Sequence, residues 1–282
     1  MPSKDRKAAD AQSQIDNEAI LRDLREANAN LVLANLRSIA LANEVRRLYE
    51  EATDANEAKD AFFEQVSHEL RTPLTSISGW AALLGIEPAP ETIHEAARSI
   101  AGSAAVQARL INDLLDVSRI TARSFDIAKE PVDVQVVADE AITAMRPMAM
   151  TKGISLSADM VSGISIEGDA MRLRQVFDNF LSNALKFTPS GGVVEALLVR
   201  DGDDAVFTIR DNGEGIPADL LPQMFKRHAQ AKTGRFGGLG LGLSIVKHII
   251  ELHGGSVKAE SEGPGKGSCF TVRIPGVLPA SD

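Results

Sequence analysis

Apolar and small residues recur in alternating steps of four and three from Ile20 through Leu24, Ala27, Leu31, Ala34, Ser38, Leu41, Val45, Leu48, Ala52 and Ala55. That is the seam of a coiled coil. Ala and Ser hold several of these positions, so each layer buries little area. The pattern predicts a weak parallel dimer stalk in preference to an amphipathic helix lying on another domain. Residues 1–14 lack the period and are expected to fray.

A second stripe runs through Phe63, Val66, Leu70, Leu74, Ile77, Ala81 and Leu84 at helical spacing. The string Gly85-Ile86-Glu87-Pro88-Ala89-Pro90 ends it, because each proline removes a backbone donor and restricts the residue before it. From about Glu91 a further helix sets Ile93, Ala97, Ile100, Ala104, Ile111, Leu114 and Leu115 toward one side. Two long helices and a short turn make an antiparallel hairpin. A hairpin cannot cover its own stripe, so doubling into a dimeric four-helix bundle is expected.

After Pro131 the pattern becomes mixed. Strands are predicted over 154–158, 192–200, 205–211, 257–261 and 268–274. Helices are predicted over 170–187, N-capped by Asp169, and over 239–253, stopped by Gly254-Gly255. The expected class is α+β: a tail and coiled-coil segment over 1–57, a helical hairpin domain over 58–128, and an α/β sandwich over 129–282.

With 282 residues, 44% hydrophobic and 24% charged, the chain can bury sizeable cores. A formal charge of −9 repels phosphate backbones, which argues against nucleic acid as a partner. Cys269 is the single cysteine, so no intrachain disulfide forms and nothing calls for an oxidising compartment. No apolar run approaches the ~18–20 residues of a membrane span, and a cytoplasmic location is expected.

The segment FFEQVSHELRTPL, residues 62–74, places a histidine inside a helix. At about 100° per residue, His68 lies roughly 170° from the mean direction of the apolar stripe and so faces solvent, unlike the usual core histidine. Thr72 stands one turn on, over the same patch. Glu69 flanks the ring, where a carboxylate can hold one N–H, fix the tautomer and stabilise the cation formed when the free nitrogen attacks an electrophile. Pro73 cannot donate to the carbonyl of Glu69 and should bend the helix just above His68, at a cost on the order of 3 kcal/mol. This constellation resembles the phosphoacceptor box of two-component sensor histidine kinases, and INDLLDVSRI, residues 111–120, resembles the end of the second helix of their dimerisation and phosphotransfer domain.

In RQVFDNFLSNALKFT, residues 174–188, Asn179, Asn183 and Lys186 fall within about 60° of one another, opposite Leu173, Val176, Phe177, Phe180 and Ala184. Such a stripe is ordinarily solvated surface, but two carboxamides and an ammonium also suit a hard cation bound to phosphates. The resemblance is to the kinase N box, which implies Mg²⁺ coordination by Asn183 and places Asn179 and Lys186 near the phosphates of ATP. DNGEGIP, residues 211–217, closes a strand in which Asp211 shares a face with Phe207 and Ile209. A buried carboxylate needs a donor, which an adenine amino group supplies, although Asn-Gly is also a plain turn signal. Gly213 and Gly215 are expected to let the backbone pass close to the base. The resembled family has its G1 box here.

GGLGLGLSIV, residues 237–246, sets Gly237, Gly238, Gly240 and Gly242 ahead of a helix, the makings of a phosphate cradle. No GxxxxGK(S/T) occurs, and a loop precedes the glycines where a dinucleotide fingerprint has a strand. The similarity is to the G2 box. Residues 218–236, with Phe225, Lys226 and Arg227, resemble the F box and ATP lid, which puts Arg235 or Lys232 over the phosphates. His228 departs from that pattern, where relatives carry an aromatic. His248 and His253 lie on different sides of their helix and cannot form an i, i+4 zinc pair. His94 is read as solvated and Cys269 as a small strand residue.

The resemblance implies ATP-dependent phosphorylation of His68, supported by Glu69, followed by transfer to an aspartate of a response regulator receiver domain. It also implies a homodimer, and water activation at Thr72 in the reverse dephosphorylation of the regulator. Two other classes remain open at this level: an ATPase machine of the same Bergerat-type fold that passes its phosphate to water, and an ATP-gated scaffold without kinase activity.

Overall fold

The structure is a computed structural model that describes residues 3–86, 89–225 and 239–278. The chain divides into two units, Met1–Phe63 and Glu64–Asp282. Helix α1 (Ser3–Leu84) begins within the segment expected to fray. Ala, Lys, Arg and Gln dominate there, and their intrinsic preference carries the helix without an apolar seam. In the first unit the heptad residues Ile20, Leu24, Leu31, Leu41, Val45 and Leu48 are all exposed in the single chain.

In the second unit, α1 continues through Pro73, which is buried. Helix α2 (Pro90–Thr121) follows with proline in its first turn, where a missing N–H costs nothing. Ser103 Oγ donates to Ser76 Oγ at 3.1 Å across the hairpin. Leu74, Val106, Ile111 and Leu115 remain exposed.

The α/β region comprises β1 (Glu130–Asp133), α3 (Val134–Lys152), β2 (Ser155–Met160), β3 (Ser165–Gly168), α4 (Ala170–Phe187), β4 (Val193–Asp201), β5 (Asp204–Asp211), α5 (Gly242–Leu252), β6 (Ser256–Glu260) and β7 (Ser268–Pro275). The five-stranded sheet has the order β2-β4-β5-β7-β6, with β2 parallel to β4 and the other pairs antiparallel. A separate ribbon pairs β1 with β3. Alternate residues Val194, Ala196 and Leu198 of β4, and Phe270, Val272 and Ile274 of β7, are buried on the face covered by the helices. Phe177 meets Phe207 at 4.2 Å between ring centroids, and Phe180 meets Phe270 at 5.3 Å, so α4 is seated on the middle of the sheet.

The predicted strands and α4 are present within two residues at each end. Two features of the α/β region were not foreseen. One is α3, although its signals lie in the chain: Asp133 accepts from the N–H groups of Gln135 and Val136, and Gly153 closes the helix at φ +66°. The other is the β1–β3 ribbon, whose four-residue strands are too short to show a period. The helix expected from residue 239 starts at Gly242, because Gly240 adopts φ +64° and cannot continue an α-helix. At its other end, Gly254 at φ +74° and the N–H of Gly255 bonded to Ile250 O form the expected stop.

Candidate nucleotide and phosphoacceptor site

His68 and Thr72 are exposed on α1, as their angular position requires. The Thr72 hydroxyl donates to the His68 carbonyl at 3.2 Å, using the turn that Pro73 weakens. Glu69 is half-buried and turned toward the α/β region, where its charge acts on Lys186. Burial pulls the Lys186 ammonium below its ordinary pKa, and Glu69 opposes that shift. A residue beside the candidate phosphoacceptor and one on the candidate nucleotide helix are therefore electrostatic neighbours, across 117 positions of sequence. Helical periodicity describes each of them and says nothing of the pair.

Helix α4 is the hub of the nucleotide side. Asp169 caps it, accepting from Arg172 N at 3.1 Å. At its far end, the Lys152 ammonium donates to Leu185 O at 2.6 Å and to Lys186 O at 3.2 Å, neutralising carbonyls that lack helical partners. Leu173, Val176, Phe177, Phe180 and Ala184 are buried, and Asn179, Asn183 and Lys186 are half-buried on the other side. The loop before α5 comes so close to that polar stripe that a Cβ on Gly242 would lie 2.2 Å from Asn179 Oδ1. At the C-terminal end of α4, a Cβ on Gly213 would lie 2.4 Å from Phe187 O. Asn179, Lys186, Gly213 and Gly242 are thus drawn to one helix.

Asp211 is buried at the end of β5, as expected from its strand face. Its carboxylate accepts from Gly213 N at 2.8 Å and from the Ser268 hydroxyl. An adenine amino group is thus not needed to satisfy it, though a carboxylate retains acceptor sites after two bonds. The close approach expected at Gly213 and Gly215 has a reason within the protein's own chain. Gly213 is crowded by the carbonyl of Phe187, and Gly215, at φ +69°, would place a Cβ 2.1 Å from Gly263 O. Both glycines are demanded by the protein's own backbone, independently of any base.

The start of α5 has no side-chain cap, so its first N–H groups are free of that competition. Gly237, Gly238, Lys232 and Arg235, with the rest of residues 226–238, lie outside the described residues. Thr188, at the end of α4, is 1% exposed and its hydroxyl has no partner. Among the described residues no cluster of three His, Cys, Asp or Glu side chains can hold a metal. Asn183 offers one neutral oxygen, which suits Mg²⁺ only when phosphates supply further ligands. The donor set fits a metal–nucleotide complex better than a free ion.

A contact between α2 and the α/β region was not anticipated. Asp116, 4% exposed, accepts from Arg172 Nη1 at 3.0 and 3.1 Å and from Gln175 Nε2 at 2.8 Å. The Arg172 guanidinium also lies 4.4 Å from the ring centre of Phe125, which meets His248 edge-on at 5.5 Å. The sequence clue is a carboxylate lodged among Leu114, Leu115 and Val117. His253 has a structural task as well: its Nε2 accepts from Asp169 N at 3.0 Å while Nδ1 meets Ile249 O at 2.8 Å, the neutral tautomer.

Residues 58–123 match the His Kinase A (phospho-acceptor) domain, and residues 168–277 match the histidine kinase-, DNA gyrase B- and HSP90-like ATPase family. The chain belongs to the two-component sensor histidine kinases. Among characterised histidine kinases, it is 38% identical over 272 residues to hybrid signal transduction histidine kinase D of Dictyostelium discoideum, covering 79% of this chain and 18% of that protein. It is 38% identical over 233 residues to the circadian input-output histidine kinase CikA of Synechococcus elongatus, covering 79% of this chain and 31% of that one. The chain therefore spans less than a third of the length of these two relatives. Among solved histidine kinases, full-length ShkA in complex with AMPPNP superposes with a TM-score of 0.59 at 30% identity, over 77% of this chain and 47% of that one. Within the histidine kinase frame, the exposed His68 falls in the phospho-acceptor domain, and Asn179, Asn183, Lys186, Asp211 and Gly242 fall in the ATPase domain. Among the described residues no helix is long and apolar enough to cross a membrane.

Proposed function

We propose that this chain is an ATP-dependent protein histidine kinase that phosphorylates His68 and passes the phosphoryl group to an aspartate of a response regulator receiver domain. Residues 58–128 serve as the dimerisation and phosphotransfer domain, and residues 129–282 as the catalytic domain. The observation that supports the reading is the solvent-exposed His68 on α1, together with the half-buried line Asn179, Asn183 and Lys186 that the loop before α5 closely approaches. ATP is the substrate, its base near Asp211 and its phosphates near Asn179, Lys186, the G2-box glycines Gly238, Gly240 and Gly242, and Arg235 of the lid. Asn183 would hold Mg²⁺, which would supply positive charge to offset that of the phosphates.

An imidazole nitrogen of His68 attacks the γ-phosphorus in line. A P–N bond forms, the bond to the bridging oxygen breaks, and ADP leaves with that electron pair. Glu69 supports the ring cation, so its attraction to Lys186 must yield as the ring becomes charged. Thr72 orients water in the reverse dephosphorylation of the regulator. The exposed Leu74, Ile111 and Leu115 form the seam on which two chains close the bundle, and the heptad of α1 extends the pairing.

The test is incubation with γ-labelled ATP, followed by acid and base treatment of the protein. Acid-labile, base-stable label on the wild type is expected. It should be absent from His68→Gln, which should still bind nucleotide. Undiminished labelling of that variant removes His68 from the reaction, and steady phosphate release with no phosphoprotein identifies an ATPase machine.

A further inference from the structure

The polar stripe Asn179, Asn183 and Lys186 lies in the C-terminal half of α4, with Lys186 in the last turn. Helices that bind phosphate ordinarily offer their N-terminus, where free N–H groups and about half a positive charge face the anion. The C-terminal end of α4 carries the opposite pole. Unless that pole is offset, the helix opposes the anion that its own side chains are placed to hold.

The chain after α4 cannot offset it. Leu185 O would take its helical bond from residue 189, which is Pro189 and has no N–H. Phe187 O would take one from Gly191, but Gly191 N donates to Gly153 O at 3.0 Å, and Phe187 O accepts from Glu214 N at 3.1 Å. One side chain gathers the carbonyls around them. Lys152 Nζ donates to Leu185 O at 2.6 Å, to Lys186 O at 3.2 Å and to Thr188 O at 3.4 Å. Gly153, at φ +66°, ends α3, so that Lys152 and Gly153 O clasp the chain before and after Pro189. Water or a neutral amide would satisfy three carbonyls equally well. Only a cation also cancels the pole.

We propose that Lys152 is a positioning residue for the nucleotide: by seating a full positive charge on the carbonyls of Leu185, Lys186 and Thr188, it cancels the negative pole of α4 and lets that end of the helix hold phosphate. The proposal rests on the ATP reading given under Proposed function. Lys152 acts through the helix, and its effect scales with the charge of the ligand. The base and ribose are indifferent to it.

The experiment is calorimetric titration of the full chain with adenosine and with ADP, which share base and ribose and differ in phosphate. Lys152→Met should bind ADP about tenfold more weakly than wild type and adenosine within about two-fold, in keeping with a charge at a partly buried helix end. Lys152→Gln keeps a hydrogen-bond donor without the charge and should behave as Lys152→Met does. Lys152→Arg keeps the charge and should bind ADP nearly as wild type does. A merely structural cap would weaken both ligands alike and would be served by Gln. Equal losses for adenosine and ADP therefore overturn the proposal, as does ADP binding that is retained in Lys152→Gln or no better in Lys152→Arg. Should Lys152→Met fail to fold, the Gln and Arg variants decide the same question. Wild type that binds neither ligand overturns the ATP reading, and this role of Lys152 with it.

Discussion

Arg172 and Asp116 form an ion pair at 3.0 Å that is almost closed to solvent and joins the catalytic domain to the second helix of the phosphotransfer domain. Two charges taken out of water bring little net stability, but deleting one strands the other, at roughly 3–5 kcal/mol. Asp116→Leu should therefore lower the urea midpoint sharply. Arg172→Met in the same chain should recover most of the loss, because the pair is then replaced by apolar packing. Equal midpoints for the single and double variants would show that the pair is not a coupled unit.

Asp113, on the same helix, gives this junction a pH dependence. Burial raises its carboxyl to about 6, Arg109 pulls it down and Asp116 adds to the rise. The folded chain thus holds this proton more tightly than the unfolded one. The contribution is complete below about 3.8 and is lost as pH rises through about 6. Asp113→Asn should remove that slope and raise stability at pH 7 by at most about 3 kcal/mol. Urea midpoints measured between those limits and neutrality, parallel for variant and wild type, would remove Asp113 from the effect.

His253 works in the opposite sense. Burial lowers its pKa, with a backbone bond to Ile249 and the charge of Asp169 opposing. The neutral ring is the one that accepts from Asp169 N. Its contribution is present above the ordinary value of 6.5 and is lost as pH falls below it. His253→Phe should flatten that part of the profile and cost on the order of 1–3 kcal/mol by leaving the Asp169 N–H unpaired. Thermal unfolding across pH 5–8 separates the two terms.

Gly242→Ala brings a methyl against Asn179 Oδ1. The carboxamide must rotate away, so nucleotide affinity should fall about five-fold, the worth of roughly one hydrogen bond, with the fold intact. Asn183→Ala should go further and abolish both His68 labelling and the Mg²⁺-dependent part of ATP binding. Calorimetric titration of ATP with and without Mg²⁺ distinguishes the two, and Mg²⁺-dependent binding that survives in Asn183→Ala would move the metal elsewhere.

Period and motif carried much of this protein. The heptad of α1, the stripes of the hairpin, the alternation in β4 and β5 and the Asp169 cap of α4 are local signals, each written within a few turns of chain. The exposure of His68 followed from helix angle alone, and so did the polar line Asn179, Asn183 and Lys186. Other results needed the folded chain, because they depend on residues far apart in sequence. Glu69 acquires Lys186, Asp116 acquires Arg172, and Lys152 caps a helix more than thirty residues away. Gly213 and Gly215 show the limit most plainly. Their sequence context suggested close approach of the backbone to a base, and only the folded chain shows that the carbonyls of Phe187 and Gly263 occupy the space a side chain would need. A chain segment encodes which face it will bury; which partner meets that face is set by the closure of the sheet and the docking of helices, where desolvation and charge are decided jointly by both sides.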